Sequence, residues 1–310
     1  MKIVVVGAGA MGCLYGAKLS QSSSNEVYLL DVWQEHVDAI NTHGLTVEEQ
    51  GNDVVYKNVR AVSDAKDAGV CDLAIIFVKS AFTSAAVKNN KEIFGSDTVA
   101  LTLQNGLGNV DLICDVVGSD NVIAGTTACG ATMLKPGKIR FAGRGKTIIG
   151  EIDGKESART LAIADVFQEA EFETEISLNV MGLIWDKLLI NVGINALTGI
   201  TQLHNGQLLD FPEIDEILEE AVKEAIVVAK AKGIELKTEN PVENTKQICR
   251  NTAKNKSSML QDVLNGKLTE IQMINGAIVR EGKALGIATP VNMVLTNLIT
   301  FIQNNSQQKL

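Results

Sequence analysis

The sequence has little histidine, few cysteines and no excess of positive charge. Its three histidines, His36, His43 and His204, show no metal-ligand spacing. Its five cysteines, Cys13, Cys71, Cys114, Cys129 and Cys249, include no C-x-x-C pair, and an odd number cannot all pair within one chain. Free thiols in a reducing cytosol are therefore expected, not a disulfide framework or a zinc site. The formal net charge is −9, which argues against nucleic acid or an anionic membrane as main partner, because both need a basic footprint. A local basic pocket for an acidic small molecule stays open. No stretch is expected to reach the roughly 18 apolar residues that a membrane span needs. The most apolar long segment, near 180–200, carries Asp186, Lys187, Asn191 and Asn195. The first apolar run stops at Gly7, where a signal peptide would continue to a cleavage site. A cytoplasmic location is the resulting expectation. Internal repeats and low-complexity tracts are missing too.

What is present is a balanced globular composition over 310 residues, 45% hydrophobic and 21% charged, enough for two domains of ordinary size. Residues 2–6, 26–31, 72–78, 98–103, 122–128 and 147–151 read as short strands, most of them continuous apolar runs. Helices are expected at 10–20 and 34–43. Apolar strands alternating with helices predict a parallel sheet covered on both faces. Residues 44–60 alternate more and suggest an antiparallel hairpin. After about residue 178 helical periodicity dominates, at 180–198, 212–233, 241–253, 257–264, 267–285 and 291–303. Pro212, Pro241 and Pro290 fall near helix starts, where proline is favoured. The expected fold is α/β: a Rossmann-type parallel-sheet domain over 1–177, then an all-helical domain over 178–310. The polar tail 304–310 is expected to fray.

Gly7, Gly9 and Gly12 fit G-x-G-x-x-G, with Ala10 and Met11 between the second and third glycines. Alone the pattern is weak. Here a strand precedes it, a helix follows it, and Asp31 stands 19 positions after Gly12 at the end of the next strand. The first glycine allows the tight turn, the second lets backbone approach a pyrophosphate, and the third lets helix pack on strand. The helix N-terminus offers N–H groups and partial positive charge to phosphates. Asp31 can accept hydrogen bonds from the ribose hydroxyls and would repel a 2′-phosphate. The segment 31–36 has no Arg or Lys, so NADH is favoured over NADPH. Lys79 and Asn105 follow the strands 72–78 and 98–103, at the edge where ligands bind in open α/β sheets. Both are expected on the cofactor side.

Lys187, Asn191 and Asn195 are spaced i, i+4, i+8, so on a helix they stack along one face. Polar groups on an otherwise apolar helix must be paired between helices or line a wet cleft, and spacing alone leaves both readings open. A lysine at a cleft can bind a substrate carbonyl oxygen and protonate it as an alkoxide develops. Ser257 or Ser258 can cap the helix beginning there. Glu270 is expected to open a helix, where it would favour the helix dipole.

Together these residues resemble the ketopantoate reductase family (2-dehydropantoate 2-reductase) over nearly the whole chain. The resemblance is carried by the glycine turn, Phe77-Val78-Lys79-Ser80, Gln104-Asn105-Gly106-Leu107-Gly108 and Trp185-Asp186-Lys187-Leu188. Asn191 with Asn195, the run from Ser257 to Asp262, and Thr269-Glu270-Ile271 to Ile274-Asn275-Gly276 complete it, in the family's order. It implies reduction of ketopantoate to (R)-pantoate, a step of pantothenate biosynthesis. It implies Lys187 as general acid and Glu270 as the acidic residue that positions substrate and lysine. Asn105 would lie near the nicotinamide ribose and substrate. Asn191, Asn195, Asn255 and Ser258 would contact substrate, and Lys79 the cofactor. Most members use NADPH and carry a basic residue after the second strand. Asp31-Val32-Trp33 in that place resembles a branch that uses NADH on other branched or aromatic 2-keto acids. An NADH-dependent D-2-hydroxyacid dehydrogenase is the alternative activity, and a non-catalytic NAD-binding module the alternative of another class. The expected partner is a small 2-keto acid, and the apolar helices are compatible with a homodimer.

Overall fold

The computed structural model describes the backbone of residues 1–308 and the side chains of residues 1–305. Contacts divide the chain into a sheet unit, Met1–Gln104 with Asn109–Val180, and a helical unit, which takes Asn105–Gly108 together with the chain from Met181 onward.

The sheet unit opens with β1 (Lys2–Val6), α1 (Ala10–Leu19), β2 (Glu26–Leu30) and α2 (Gln34–His43). Next come β3 (Leu45–Glu49), β4 (Asn52–Tyr56), β5 (Val59–Val62), α3 (Ala65–Ala68), β6 (Leu73–Ile76) and α4 (Thr83–Asn89). Then follow β7 (Val99–Thr102), α5 (Asn109–Val117), β8 (Val122–Thr127), β9 (Gly130–Lys135) and β10 (Lys138–Gly143). β11 (Thr147–Glu151), α6 (Ala158–Glu169) and β12 (Thr174–Ile176) close the unit.

Eight strands form the main sheet in the order β12-β11-β8-β7-β6-β1-β2-β5. Side chains on β1 alternate between two cores. Ile3 and Val5 pack with Tyr15, Phe167 and Phe172, while Val4 and Val6 pack with Ala65, Val87 and Ile113. Leu73 and Ile75 of β6 divide from Ala74 and Ile76 in the same way. Burial on both faces explains why these strands read as unbroken apolar runs. Tyr15 stacks on Phe172 with ring centroids 4.1 Å apart, and its hydroxyl meets Thr147 Oγ1 at 2.6 Å, so a buried aromatic keeps a polar partner.

The sheet is not wholly parallel: β11 runs antiparallel to β8. The chain between them makes a hairpin, β9 and β10, in place of the crossover helix that a parallel return needs. The hairpin expected at 44–60 is present as β3 and β4, turning at Gln50 and Gly51, both with positive φ. It joins a second sheet in the order β4-β3-β10-β9. β9 and β10 carry few fully buried positions, so they show no apolar stripe in sequence.

The helical unit contains α7 (Val180–Thr201), α8 (Pro212–Ala231), α9 (Pro241–Asn251), α10 (Ser258–Leu264), α11 (Asn275–Leu285) and α12 (Pro290–Gln308). Each of Pro212, Pro241 and Pro290 is the first residue of its helix. Trp185, Leu189 and Val192 of α7 pack in one core with Val222, Ala225, Met259, Ile278 and Ile299. Full burial of the Leu, Val, Ile and Met side chains among these contributes about 1.5–3 kcal/mol each. By length and composition α7 could also cross a membrane, and 67% of its most apolar stretch is buried inside the protein. The helix expected at 267–285 begins only at Asn275. Ile271–Met273 is a short 3-10 turn, and Ile274, with φ −108° and ψ −97°, breaks the path between them. Glu270 therefore does not open an α-helix. α12 stays helical to Gln308, beyond the expected fraying point at residue 304; residues 309 and 310 lie outside the described residues.

Candidate active site

The chain leaves β1 at Gly7 and enters α1 at Ala10. Gly7 has φ +99°, and a Cβ there would lie 2.7 Å from the backbone nitrogen of Val78. A Cβ on Gly12 would lie 2.0 Å from the Gly7 carbonyl oxygen. Gly9, the N-cap of α1, has nothing within 4 Å of its Cβ position. Two glycines are thus demanded by the protein's own packing, while the middle one borders open space. That is the cradle a pyrophosphate needs: close backbone approach at Gly9, with the first N–H groups of α1 behind it.

Asp31 is tied into this turn. Its Oδ2 accepts the Ala8 N–H at 2.7 Å, and its Oδ1 accepts the Trp33 N–H at 2.9 Å. β1 sits between β2 and β6, where strand order reverses direction from the first strand. The crevice at such a switch point is the ligand site of open α/β sheets. β6 ends at Ile76, and Lys79 stands one residue beyond Val78, whose backbone abuts Gly7. Gln104, just after β7, donates to the Val78 carbonyl at 2.6 Å and to Thr83 Oγ1 at 2.8 Å. Thr83 donates to Asn109 Oδ1 at 2.9 Å, and Asn109 to Ser80 Oγ at 3.1 Å. These polar bonds lock the loops after β6 and β7 together.

In the helical unit, Lys187, Asn191 and Asn195 lie on α7, as their spacing predicts. Lys187 and Asn191 are half-buried, whereas Asn195 is 5% exposed, so the stripe sinks into the unit toward its C-terminal end. Thr198 Oγ1 bonds the carbonyls of Ile194 and Asn195, each at 3.0 Å, and meets Ser257 Oγ at 2.6 Å. Ser257 also caps α10 by accepting the Leu260 N–H at 3.0 Å. Of the two serines, Ser257 is the buried cap and Ser258 the exposed first residue of α10. Asn255 is exposed, its carbonyl accepting the Asn205 N–H at 3.0 Å.

Asn105 follows β7 in sequence, yet its loop packs with the helices. Its Nδ2 donates to Glu270 Oε2 at 3.5 Å, and the Leu107 N–H donates to the Met273 carbonyl at 2.8 Å. Gly106, with φ +84°, fits against Met273, whose carbonyl oxygen would lie 2.6 Å from a Cβ there. The 3-10 turn after Glu270 thus anchors the loop that carries Asn105. A little further on, Asn275 is fully buried and donates to the Val192 carbonyl of α7 at 3.1 Å and to Asn292 Oδ1 at 3.0 Å. Beside the stripe, the Asp186 carboxyl is pushed up by burial, and the N–H groups of Lys237 and Thr238 partly offset this.

Several supporting residues carry no sequence signal of their own. Thr83, Asn109, Thr198 and Asn292 form no motif in the sequence, and only the fold shows what they bond. His36 and Cys13 are a further case, since their contact spans two helices.

Comparison with known proteins agrees with this arrangement along the chain. Residues 3–154 match the family model described as ketopantoate reductase PanE/ApbA, and residues 179–303 match its C-terminal model. A 2-dehydropantoate 2-reductase of Halobacterium salinarum is 35% identical over 306 residues, covering 98% of this chain and 100% of the relative. One of Pyrococcus horikoshii is 35% identical, covering 96% of each chain. A crystal structure of a PanE/ApbA family ketopantoate reductase from Ralstonia eutropha superimposes with a TM-score of 0.91 at 34% identity, covering 99% of this chain and 100% of that one. The ternary structure of D-mandelate dehydrogenase with NADH and anilino(oxo)acetate gives 0.92 at 31% identity, covering 99% and 100%. With a glycine cradle in one unit, a Lys-Asn-Asn stripe in the other and these matches over both, the chain belongs to the ketopantoate reductase family.

Proposed function

We propose that this protein reduces ketopantoate to (R)-pantoate with NAD(P)H, a step of pantothenate biosynthesis carried out in the cytoplasm. The observation that carries this reading is the polar stripe on α7. A lysine and two asparagines on one face of a largely buried helix match the needs of a substrate bearing a carboxylate, a carbonyl and a hydroxyl. The cradle at Gly7, Gly9 and Gly12 fits a dinucleotide, because the packing leaves Gly9 open and closes the other two.

Reduced nicotinamide bound there supplies hydride to the keto carbon from its C4. Lys187 holds the keto oxygen, stabilises negative charge as it develops and delivers a proton to it. Glu270, bonded by Asn105, orients the lysine and the substrate. Asn191, Asn195, Asn255 and Ser258 bind the carboxylate and hydroxyl. Gly7, Gly9, Ala10, Met11 and Gly12 hold the pyrophosphate, with Lys79 and Asn105 on the cofactor side. Asp31 accepts the ribose hydroxyls and disfavours a 2′-phosphate, which makes NADH the preferred reductant.

Asp31 also supports a second reading, an NADH-dependent D-2-hydroxyacid dehydrogenase, as does the likeness to D-mandelate dehydrogenase with NADH. A non-catalytic NAD-binding module would need neither Lys187 nor Glu270. The deciding assay compares ketopantoate, 2-ketoisovalerate, 2-ketoisocaproate and phenylglyoxylate with each cofactor. Highest kcat/KM for ketopantoate supports the first reading. Highest kcat/KM for any of the other branched or aromatic acids with NADH replaces it with the second, and cofactor binding without turnover on any acid replaces both.

A further inference from the structure

A chain of hydrogen bonds runs from the buried His36 to the glycine turn and Asp31. His36, on α2, is fully buried. The Gly137 N–H, from the turn between β9 and β10, reaches its Nδ1 at 3.0 Å. A backbone N–H can only donate, so Nδ1 accepts and the ring proton sits on Nε2. Nε2 lies 3.2 Å from Cys13 Sγ on α1, and that thiol donates to the Ala8 carbonyl at 3.1 Å. The Ala8 N–H in turn goes to Asp31 Oδ2 at 2.7 Å. Asp31 Oδ1 accepts the Trp33 N–H at 2.9 Å, and the Trp33 ring lies over the His36 ring at 5.1 Å and 13°. The circuit closes on itself through the glycine turn.

We propose that His36 is a positioning residue for the dinucleotide turn, effective only as the neutral imidazole protonated on Nε2, so that acid weakens cofactor binding. This rests on the reading that residues 7–12 take the dinucleotide. A second proton on the ring must go to Nδ1. Two donors, that N–H and the Gly137 N–H, then face each other in a site closed to water. The ring has to move, and it carries the Trp33 stack and the Cys13 contact with it. Ala8 loses the bond that fixes its carbonyl, and the Ala8–Asp31–Trp33 arrangement loosens.

The charges around the ring are few. Asp31, at the end of β2, is the anion that favours the imidazolium, with the Ala8 carbonyl acting in the same direction. On α1, Cys13 is neutral, since burial pushes its thiol far up. The turn from β9 to β10 presents the Gly137 N–H; its flanking Lys138 pairs with Asp53 at 2.6 Å. On α2 itself, Glu35 is exposed. Burial outweighs Asp31 and holds His36 below its ordinary value.

The test is calorimetric titration of NAD⁺ into the full chain at about pH 8 and about pH 5.5, with wild type and His36→Asn. Asparagine Oδ1 can accept from the Gly137 N–H and does not titrate in this range. Wild-type Kd should rise on acidification, by less than about tenfold at pH 5.5, because each pH unit below a linked pKa changes affinity by up to that factor and burial holds His36 below its ordinary value. The variant, which keeps an acceptor for Gly137 but lacks the Cys13 contact and the Trp33 stack, should bind more weakly than wild type at the higher pH and show a much flatter profile. A flat wild-type profile, or the same acid loss in both proteins, overturns the proposal. If His36→Asn does not fold, Cys13→Ala keeps the histidine but cuts its link to Ala8. Its acid response should then shrink, and an undiminished response overturns the proposal. Failure of the wild type to bind NAD⁺ or NADP⁺ at the higher pH removes the reading of the turn itself.

Discussion

The Ala8 N–H donates to Asp31 Oδ2 at 2.7 Å, so the carboxylate proposed to meet the ribose also fixes the glycine turn. The Trp33 N–H occupies its other oxygen. One side chain thus holds two backbone donors, in addition to the ribose contact proposed for it.

Cofactor preference should consequently resist the obvious exchange. Asp31→Arg supplies charge for a 2′-phosphate but leaves the Ala8 and Trp33 N–H groups without their acceptor. Losing hydrogen bonds to a charged group costs about 1.5–3 kcal/mol each. Steady-state KM values for NADH and NADPH should both rise by an order of magnitude or more. A clean switch to NADPH at undiminished kcat/KM contradicts the structural role of Asp31.

The glycines separate packing from ligand approach. A methyl group on Gly9 meets nothing of the protein, while one on Gly12 lies 2.0 Å from the Gly7 carbonyl oxygen. Gly9→Ala should melt at nearly the wild-type temperature yet bind NADH at least about tenfold more weakly, the equivalent of 1.4 kcal/mol. Gly12→Ala should lose both stability and binding. Equal NADH affinity in Gly9→Ala and wild type argues against the pyrophosphate lying there.

Much of this was legible in the sequence, for a physical reason. β1 and β6 are buried on both faces, so their apolar runs stand out, and α7 announces itself by spacing Lys187, Asn191 and Asn195 at helical intervals. β9 and β10 escaped notice because most of their residues are not fully buried. The break at Ile274 also escaped, since nothing in Ile271-Gln272-Met273-Ile274 forbids a helix; its cause lies in tertiary contacts. Asn105 sits where a strand end would place it by chain order, but its partners are Glu270 and the turn at Met273. Pairings across 165 positions have no local signature.

Asn275 offers a test of how firmly the stripe is held. It donates to Val192, between Asn191 and Asn195, and to Asn292, whose own Nδ2 bonds Glu224 at 2.8 Å. Asn275→Ala leaves two buried acceptors without that donor and should cost about 1–3 kcal/mol for each one left unsatisfied. A lower thermal midpoint is the expected readout. An unchanged midpoint shows that the bond to α7 contributes little.

His36 should make stability depend on acid. Burial lowers its folded pKa from the ordinary 6.5, with Asp31 opposing, so between the two values the unfolded chain binds more protons and stability rises with pH. The folded protein keeps its full stability above about pH 6.5 and loses part of it as pH falls below that value. Denaturant midpoints at pH 7 and about pH 5.5 should fall further in wild type than in His36→Asn. Parallel losses in the two proteins assign the effect to other groups.

The role of Lys187 carries the central claim, and the most direct measurement is kcat of Lys187→Ala at saturating ketopantoate and NADH, alongside its NADH affinity. Loss of a general acid costs about 10²–10⁴-fold. The expected result is a fall of that size with NADH binding unchanged. Turnover within a few-fold of wild type contradicts the mechanism.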